Sequence, residues 1–223
     1  GNSIRRDRDR LWVAMSRESA HQLGTPLMSA AAWIDRLGDD PGTREIAQHL
    51  RADLDRLERV ALRFERIGRP GHRDRVALGV VAEKVAAYFA PRLPRHANPV
   101  TIQVRAPSTG PTVAGDQVLL EWALEALVRN SVDALSRRGG SIDVAVLSDG
   151  PTASLVVSDD GPGVPAEVLA TLFEPGVTTK TGGWGIGLAL ARRIVEDVHG
   201  GRLQLRNSAR GATFVAELPL GPG

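Results

Sequence analysis

The first third of the chain alternates apolar and polar positions at helical intervals. Leu11, Met15, Leu23, Leu27, Ala30, Ile34 and Leu37 recur at spacings of three, four and eight, which places them on one face of a helix. From Ile4 to Leu37 only Pro26 breaks the pattern, so a helix of roughly 50 Å is expected. Pro26 has no N–H to give, and a kink is expected beside it. Gly38-Asp39-Asp40-Pro41-Gly42 reads as a turn. Thr43 is expected to cap a second helix reaching about Ile67, with a seam of Ile46, Leu50, Leu54, Leu57, Ala61, Phe64 and Ile67. Two antiparallel helices with wide apolar faces cannot cover both alone. A homodimer forming a four-helix bundle would cover them, and a hairpin packed on the rest of the chain is the alternative.

Gly68 to Arg73 is polar and rich in glycine, and reads as a linker. The periodicity then changes. A short strand at 76–78 and a helix at 79–89 are followed by alternation at 99–106, a strand pattern. Asp116 is a suitable N-cap for a helix to about Arg138, ended by Gly139-Gly140. Strands at 141–147 and 152–158 flank Asp149-Gly150, a hairpin signal. A glycine-rich stretch, a helix over 186–199 and a last hairpin at 202–206 and 212–218 complete the chain. The expected fold is α+β: a helical hairpin over 1–67, a linker over 68–75, and a mixed α/β sandwich over 76–223.

Composition narrows the function. The 223 residues carry 42% hydrophobic and 24% charged side chains, an ordinary globular balance. There is no cysteine, so disulfides and thiolate metal sites are excluded. Net charge is +2, and no Lys/Arg block with interleaved aromatics appears, so nucleic acid is not an expected partner. No apolar run is long enough to span a bilayer, which makes this stretch cytoplasmic by expectation. Membrane contact would need a segment upstream of Ile4.

Two glycine clusters carry candidate chemistry. Asp159-Asp160-Gly161-Pro162-Gly163 follows a strand directly, where a carboxylate can accept from an exocyclic amine and glycines let a ligand approach the backbone. Taken alone the pattern also describes many turns. Gly182-Gly183-Trp184-Gly185-Ile186-Gly187-Leu188 opens a helix, where unpaired N–H groups suit phosphate. Lys180 precedes it, one of only two lysines, and can meet phosphate as a mobile point charge. Asn130 lies mid-helix with a side-chain carbonyl of the kind Mg²⁺ takes.

Glu125-Ala126-Leu127-Val128-Arg129-Asn130-Ser131-Val132-Asp133-Ala134 resembles the N box of the ATPase superfamily shared by gyrase, chaperones and histidine kinases. Asp159 to Gly163 resembles its first glycine box, Leu172-Phe173-Glu174-Pro175 its F box, and Gly183 to Leu188 its second glycine box. His21-Gln22-Leu23-Gly24-Thr25-Pro26 then resembles the H box of sensor histidine kinases. The resemblance implies an autophosphorylating protein histidine kinase that uses ATP and Mg²⁺ and works as a homodimer. Asp159 would bind the adenine amino group, and Asn130 would hold Mg²⁺. Gly161, Gly163, Gly183, Gly185 and Gly187 would approach the nucleotide, with Arg129, Asp133, Lys180, Leu188 and Thr213 beside it. His21 would be the phospho-acceptor and would pass the group to an aspartate of a response regulator receiver domain.

A neutral imidazole has a free lone pair, and with an ordinary pKa of about 6.5 most of His21 is neutral at pH 7. The family places an acidic residue after the histidine, whereas this chain has Gln22. An amide orients the ring but cannot take its proton. Three readings stay open: Gln22 only orients the ring, Glu18 one turn earlier supplies a carboxylate, or autophosphorylation is slow. Thr25, one turn after His21, is where the family orients a water that hydrolyses the regulator's phosphate. The alternative function is an ATP-binding scaffold or phosphatase of the same family with weak or absent autokinase activity.

Overall fold

A computed structural model describes Leu23 and residues 26–68, 73–108, 110–175, 186–208 and 210–220. These divide into two compact units at the 71/72 boundary.

The first unit is a helical hairpin of α1 (26–39) and α2 (Arg44–Gly68). Leu27 and Ile34 of α1 pack with Ala47 and Leu54 of α2, with Ala30, Ala31 and Ala61 alongside. Arg51 bonds the Asp35 carboxylate on the other helix. The expected α2 seam is therefore half right. Leu54 and Ala61 face α1, but Ile46, Leu50 and Leu57 fall on a neighbouring stripe and stay exposed. An α-helix turns about 100° per residue, so Ala47 at the seam moves Ile46 off it. Thr43 also departs from expectation. Its hydroxyl donates backwards to the Leu37 carbonyl at 2.6 Å, closing α1 instead of capping α2.

The second unit is a two-layer α/β domain. Its five-stranded sheet runs in the order β2 (Val100–Arg105), β4 (Gly140–Asp149), β5 (Thr152–Asp159), β7 (Gly211–Pro219), β6 (Arg202–Ser208). Only β2 and β4 are parallel; the other pairs are antiparallel. A separate antiparallel pair joins β1 (Asp74–Ala77) to β3 (Thr112–Gly115). Helices α3 (Leu78–Phe89), α4 (Gln117–Leu135) and α6 (Gly187–Arg193) pack together beside the sheet, with a short α5 (Ala166–Leu169) preceding α6. Among the described residues no helix is long and apolar enough to cross a membrane.

The pleat explains the layer. Alternate β5 residues Ala153, Leu155, Val157 and Asp159 are buried, as are Ala212, Phe214, Ala216 and Leu218 of β7. They meet the apolar side of α4, where Leu120, Leu124, Leu127 and Val128 are almost fully buried. Asp116 caps α4 as expected, accepting from the Val118 and Leu119 N–H groups at 2.9 and 3.2 Å. The helix ends earlier than expected, at Leu135, and Gly139 at φ +75° turns the chain into β4. The expected helix over 186–199 is two pieces, since α6 passes into a π-helical turn at Ile194–Val198.

Candidate functional site

The site is built along one face of α4. Ala126, Asn130 and Ala134 are four residues apart and share that face. A Cβ on Gly187, at the start of α6, would lie 3.8 Å from the Ala126 Cβ. A Cβ on Gly161 would lie 3.6 Å from the Ala134 Cβ. Asn130, between those two contacts, therefore lies between the start of α6 and the Asp159–Gly161 turn, and it is half-buried.

Asp159 ends β5 on the buried side of the sheet, 8% exposed. The Ser131 hydroxyl donates to its Oδ2 at 2.7 Å. The N–H groups of Gly161 and Ala212 donate to Oδ1 at 3.0 and 3.3 Å. The carboxylate is thus held by three donors from α4, the glycine turn and β7, and still has acceptor capacity for a ligand amine. Gly211, at φ +131°, passes so close that a Cβ there would stand 1.8 Å from the Asp159 carbonyl oxygen. Asp160 faces away from this cradle and binds β4. It accepts from the Ser141 N–H and hydroxyl, both at 2.8 Å, and these bonds hold its carboxyl below the usual range despite some desolvation.

Asn207 braces the end of the glycine turn, and Phe173 packs on β7 and α6. Asn207 on β6 accepts from the Val164 N–H at 2.7 Å and donates to the Val164 carbonyl at 2.8 Å. Phe173 meets Phe214 edge-on, centroids 6.3 Å apart, and Arg192 of α6 stacks on its ring. Ser131 and Asn207 were not singled out from sequence. The signal for Ser131 was a serine beside Asn130 on a largely apolar helix; for Asn207 there was none beyond its place in a turn.

The expected site residues separate into groups. Asn130, Asp159, Gly161 and Gly187 are brought together around the α4 face, with half-buried Leu188 next in α6. Gly163 lies two residues further along the glycine turn, at φ +74°. Asp133 is exposed, one turn beyond Asn130. Arg129 stacks over the Phe89 ring of α3 at 5.5 Å, a contact directed towards α3. Thr213 is a correction. It bonds Ser158 at 3.0 Å, and both alternate with buried neighbours, so its side chain lies on the opposite sheet face from Asp159. Period-two alternation puts Ala212, not Thr213, on the Asp159 side. His21, Gln22, Thr25, Lys180, Gly183 and Gly185 lie outside the described residues.

Asn130 offers a hard amide oxygen of the kind Mg²⁺ takes, and the buried carboxylate in a glycine cradle suits an exocyclic amine, so the residues present fit a magnesium nucleotide. Residues 115–222 match the family described as histidine kinase-, DNA gyrase B- and HSP90-like ATPase. The chain is 32% identical to the sensor histidine kinase ZraS of Escherichia coli over 209 residues, covering 90% of this chain and 44% of ZraS. It is 29% identical to the sensory histidine kinase/phosphatase NtrB of Salmonella typhimurium over 217 residues, covering 92% of this chain and 61% of NtrB. It therefore spans about half the length of these curated relatives. Among solved structures, the catalytic domain of histidine kinase ThkA superposes with a TM-score of 0.61 at 28% identity, over 68% of this chain and 98% of that one. ThkA in complex with the response regulator TrrA superposes at 0.60 and 24% identity, over 98% of this chain and 64% of that one. Residues 115–222 thus match the ATPase family of histidine kinases, DNA gyrase B and HSP90, and about nine-tenths of the chain is similar to sensor histidine kinases.

Proposed function

We propose that the chain is the kinase core of a two-component sensor, binding ATP on the α4 face and transferring its γ-phosphoryl group to His21. The observation that carries this reading is the Asp159 cradle beside Asn130, on a chain that also bears the His21–Pro26 motif. Asp159 accepts the adenine amino group while Ser131 and two backbone N–H groups hold its oxygens in place. Asn130 contributes its carbonyl to Mg²⁺, which when bound offsets phosphate charge. Gly161 and Gly187 border the same face, Gly163 follows in the glycine turn, and Lys180, Gly183 and Gly185 are assigned to the phosphates on motif grounds.

At His21 a neutral ring nitrogen attacks the γ-phosphorus in line. The N–P bond forms as the bond to the ADP oxygen breaks, and the proton on the other ring nitrogen goes to solvent. Gln22 orients that N–H by accepting from it. Such transfers depend mainly on positioning and charge neutralisation, so an orienting amide serves without being a base. The phosphoryl group then passes to an aspartate of a response regulator. The ThkA–TrrA complex supports a partner of that kind, and the kinase/phosphatase name of NtrB supports a phosphatase activity, for which Thr25 is the residue proposed to orient the water.

We also infer a homodimer. Met28, Trp33, Ile46, Leu50 and Leu57 of the hairpin are exposed in the single chain, an apolar surface of the kind a four-helix bundle covers.

Incubation with γ-labelled ATP and Mg²⁺ tests the reading. An acid-labile, base-stable label is expected, absent from His21→Ala. Nucleotide binding without any label at residue 21 would leave the scaffold or phosphatase reading, which Gln22 favours.

A further inference from the structure

Arg73 is the first described residue after the stretch at 69–72 that leads in from the hairpin. Its guanidinium donates to the Val198 carbonyl at 3.0 Å. Val198 closes the π-helical turn that continues α6. The next residue, His199, is 3% exposed. Its Nε2 accepts from the Asp116 N–H at 3.0 Å, and its Nδ1 lies 2.7 Å from the Ile194 carbonyl. A carbonyl can only accept, so the proton is on Nδ1 and the lone pair on Nε2. One imidazole thus joins the start of α4 to the end of the α6 run. The joint is tight: a Cβ on Gly115 would stand 2.6 Å from the ring.

The two helices so joined carry the site. Asn130 and Ser131 are on α4, and α6 begins at Gly187 against Ala126. A wide π turn is the part of the α6 run best able to absorb a shift against its anchored end. Arg73 adds the incoming chain to that same anchor.

We propose that Arg73 and His199 form a joint through which the segment entering the ATPase domain sets the spacing of α4 and α6, and so the affinity for nucleotide. Both are positioning residues. The inference rests on the reading of the α4 face as an ATP site, but the joint can be tested separately. Displacing Arg73 frees the Val198 carbonyl, loosens the π turn and lets the His199–Asp116 bond lengthen.

The test uses the intact chain with Arg73→Ala, Arg73→Lys, His199→Gln and the Arg73→Ala/His199→Gln double variant. Calorimetric titration with Mg²⁺ and a non-hydrolysable ATP analogue is paired with amide exchange at residues 116–119 and 194–199. Arg73→Ala is expected to weaken nucleotide binding about fivefold and to speed exchange at Asp116, with melting temperature little changed. Arg73→Lys should recover most of the affinity, and the two substitutions together should cost no more than His199→Gln alone. Unchanged affinity and exchange in Arg73→Ala, or simple additivity, would overturn the joint. If the unmodified chain bound no analogue, the ATP reading would fall, and exchange at Asp116 would still decide whether Arg73 holds α4.

Discussion

Ser131 and Asp159 meet across 2.7 Å between α4 and β5, the serine with no exposed surface and the aspartate with 8%. The serine aims a carboxylate that would otherwise be held through one oxygen only. A hydrogen bond to a charged group is worth about 1.5–3 kcal/mol, so Ser131→Ala should weaken ATP binding roughly tenfold. The fold should survive, because the Gly161 and Ala212 N–H groups remain. Titration of both proteins with the same analogue checks this, and equal affinities would show that Asp159 needs no serine.

Thr213 should prove dispensable for nucleotide. Its hydroxyl bonds Ser158 on the sheet face away from Asp159. Thr213→Val keeps the β-branched shape and removes that bond, at a stability cost of about 1 kcal/mol. ATP affinity should stay within about twofold of the parent, a difference smaller than one lost hydrogen bond would give. A tenfold loss would mean the strand presents its other face to the ligand.

Position along the chain was more legible than direction in space. The places of Asp159 at a strand end and Asn130 inside a helix were readable, although neither pattern singles out a site alone and the resemblance of the surrounding boxes is what drew them together. Thr213 was misplaced because motif spacing gives a place on a strand and not which side of the pleat it faces. The α2 stripe was legible as apolar, but not which part of it faces α1. Ile46 and Ala47 are adjacent apolar residues, and only packing decides which faces α1. Strand β3 went unread since Thr112–Gly115 is four residues between Pro111 and the Asp116 cap. Its pairing with β1 is a long-range contact that no local pattern announces.

Acid should loosen the domain at His199. Burial, aided by the nearby Arg73 charge, lowers the pKa of this imidazole from its ordinary 6.5, outweighing the Ile194 carbonyl and Asp116, which favour the charged form. The folded state therefore prefers the neutral ring. Its contribution is complete above about pH 6.5 and is lost as pH falls below that value, because the unfolded chain takes up the proton first. His199→Gln retains an acceptor and does not titrate. Melting temperature should fall more steeply for the parent than for His199→Gln between about pH 7.5 and about pH 5.5. Parallel curves would show that His199 is protonated without cost.

The hairpin makes a prediction about assembly. Leu50 and Leu57 lie on one stripe of α2, two turns apart, 42% and 54% exposed in the single chain. The Leu54 and Ala47 stripe beside them already packs on α1. Burying a leucine contributes about 1.5–3 kcal/mol, and a two-fold interface counts each substitution twice. Leu50→Glu with Leu57→Glu should therefore convert a dimer to a monomer while leaving helical content intact, since the intrachain seam is untouched. Ala47→Glu should do the reverse, placing a charge inside the seam and reducing helicity before any change of assembly. Sedimentation equilibrium with circular dichroism separates the two effects. A double variant that stayed dimeric would place the interface on other residues, with Trp33 and Met28 of α1 the next to substitute.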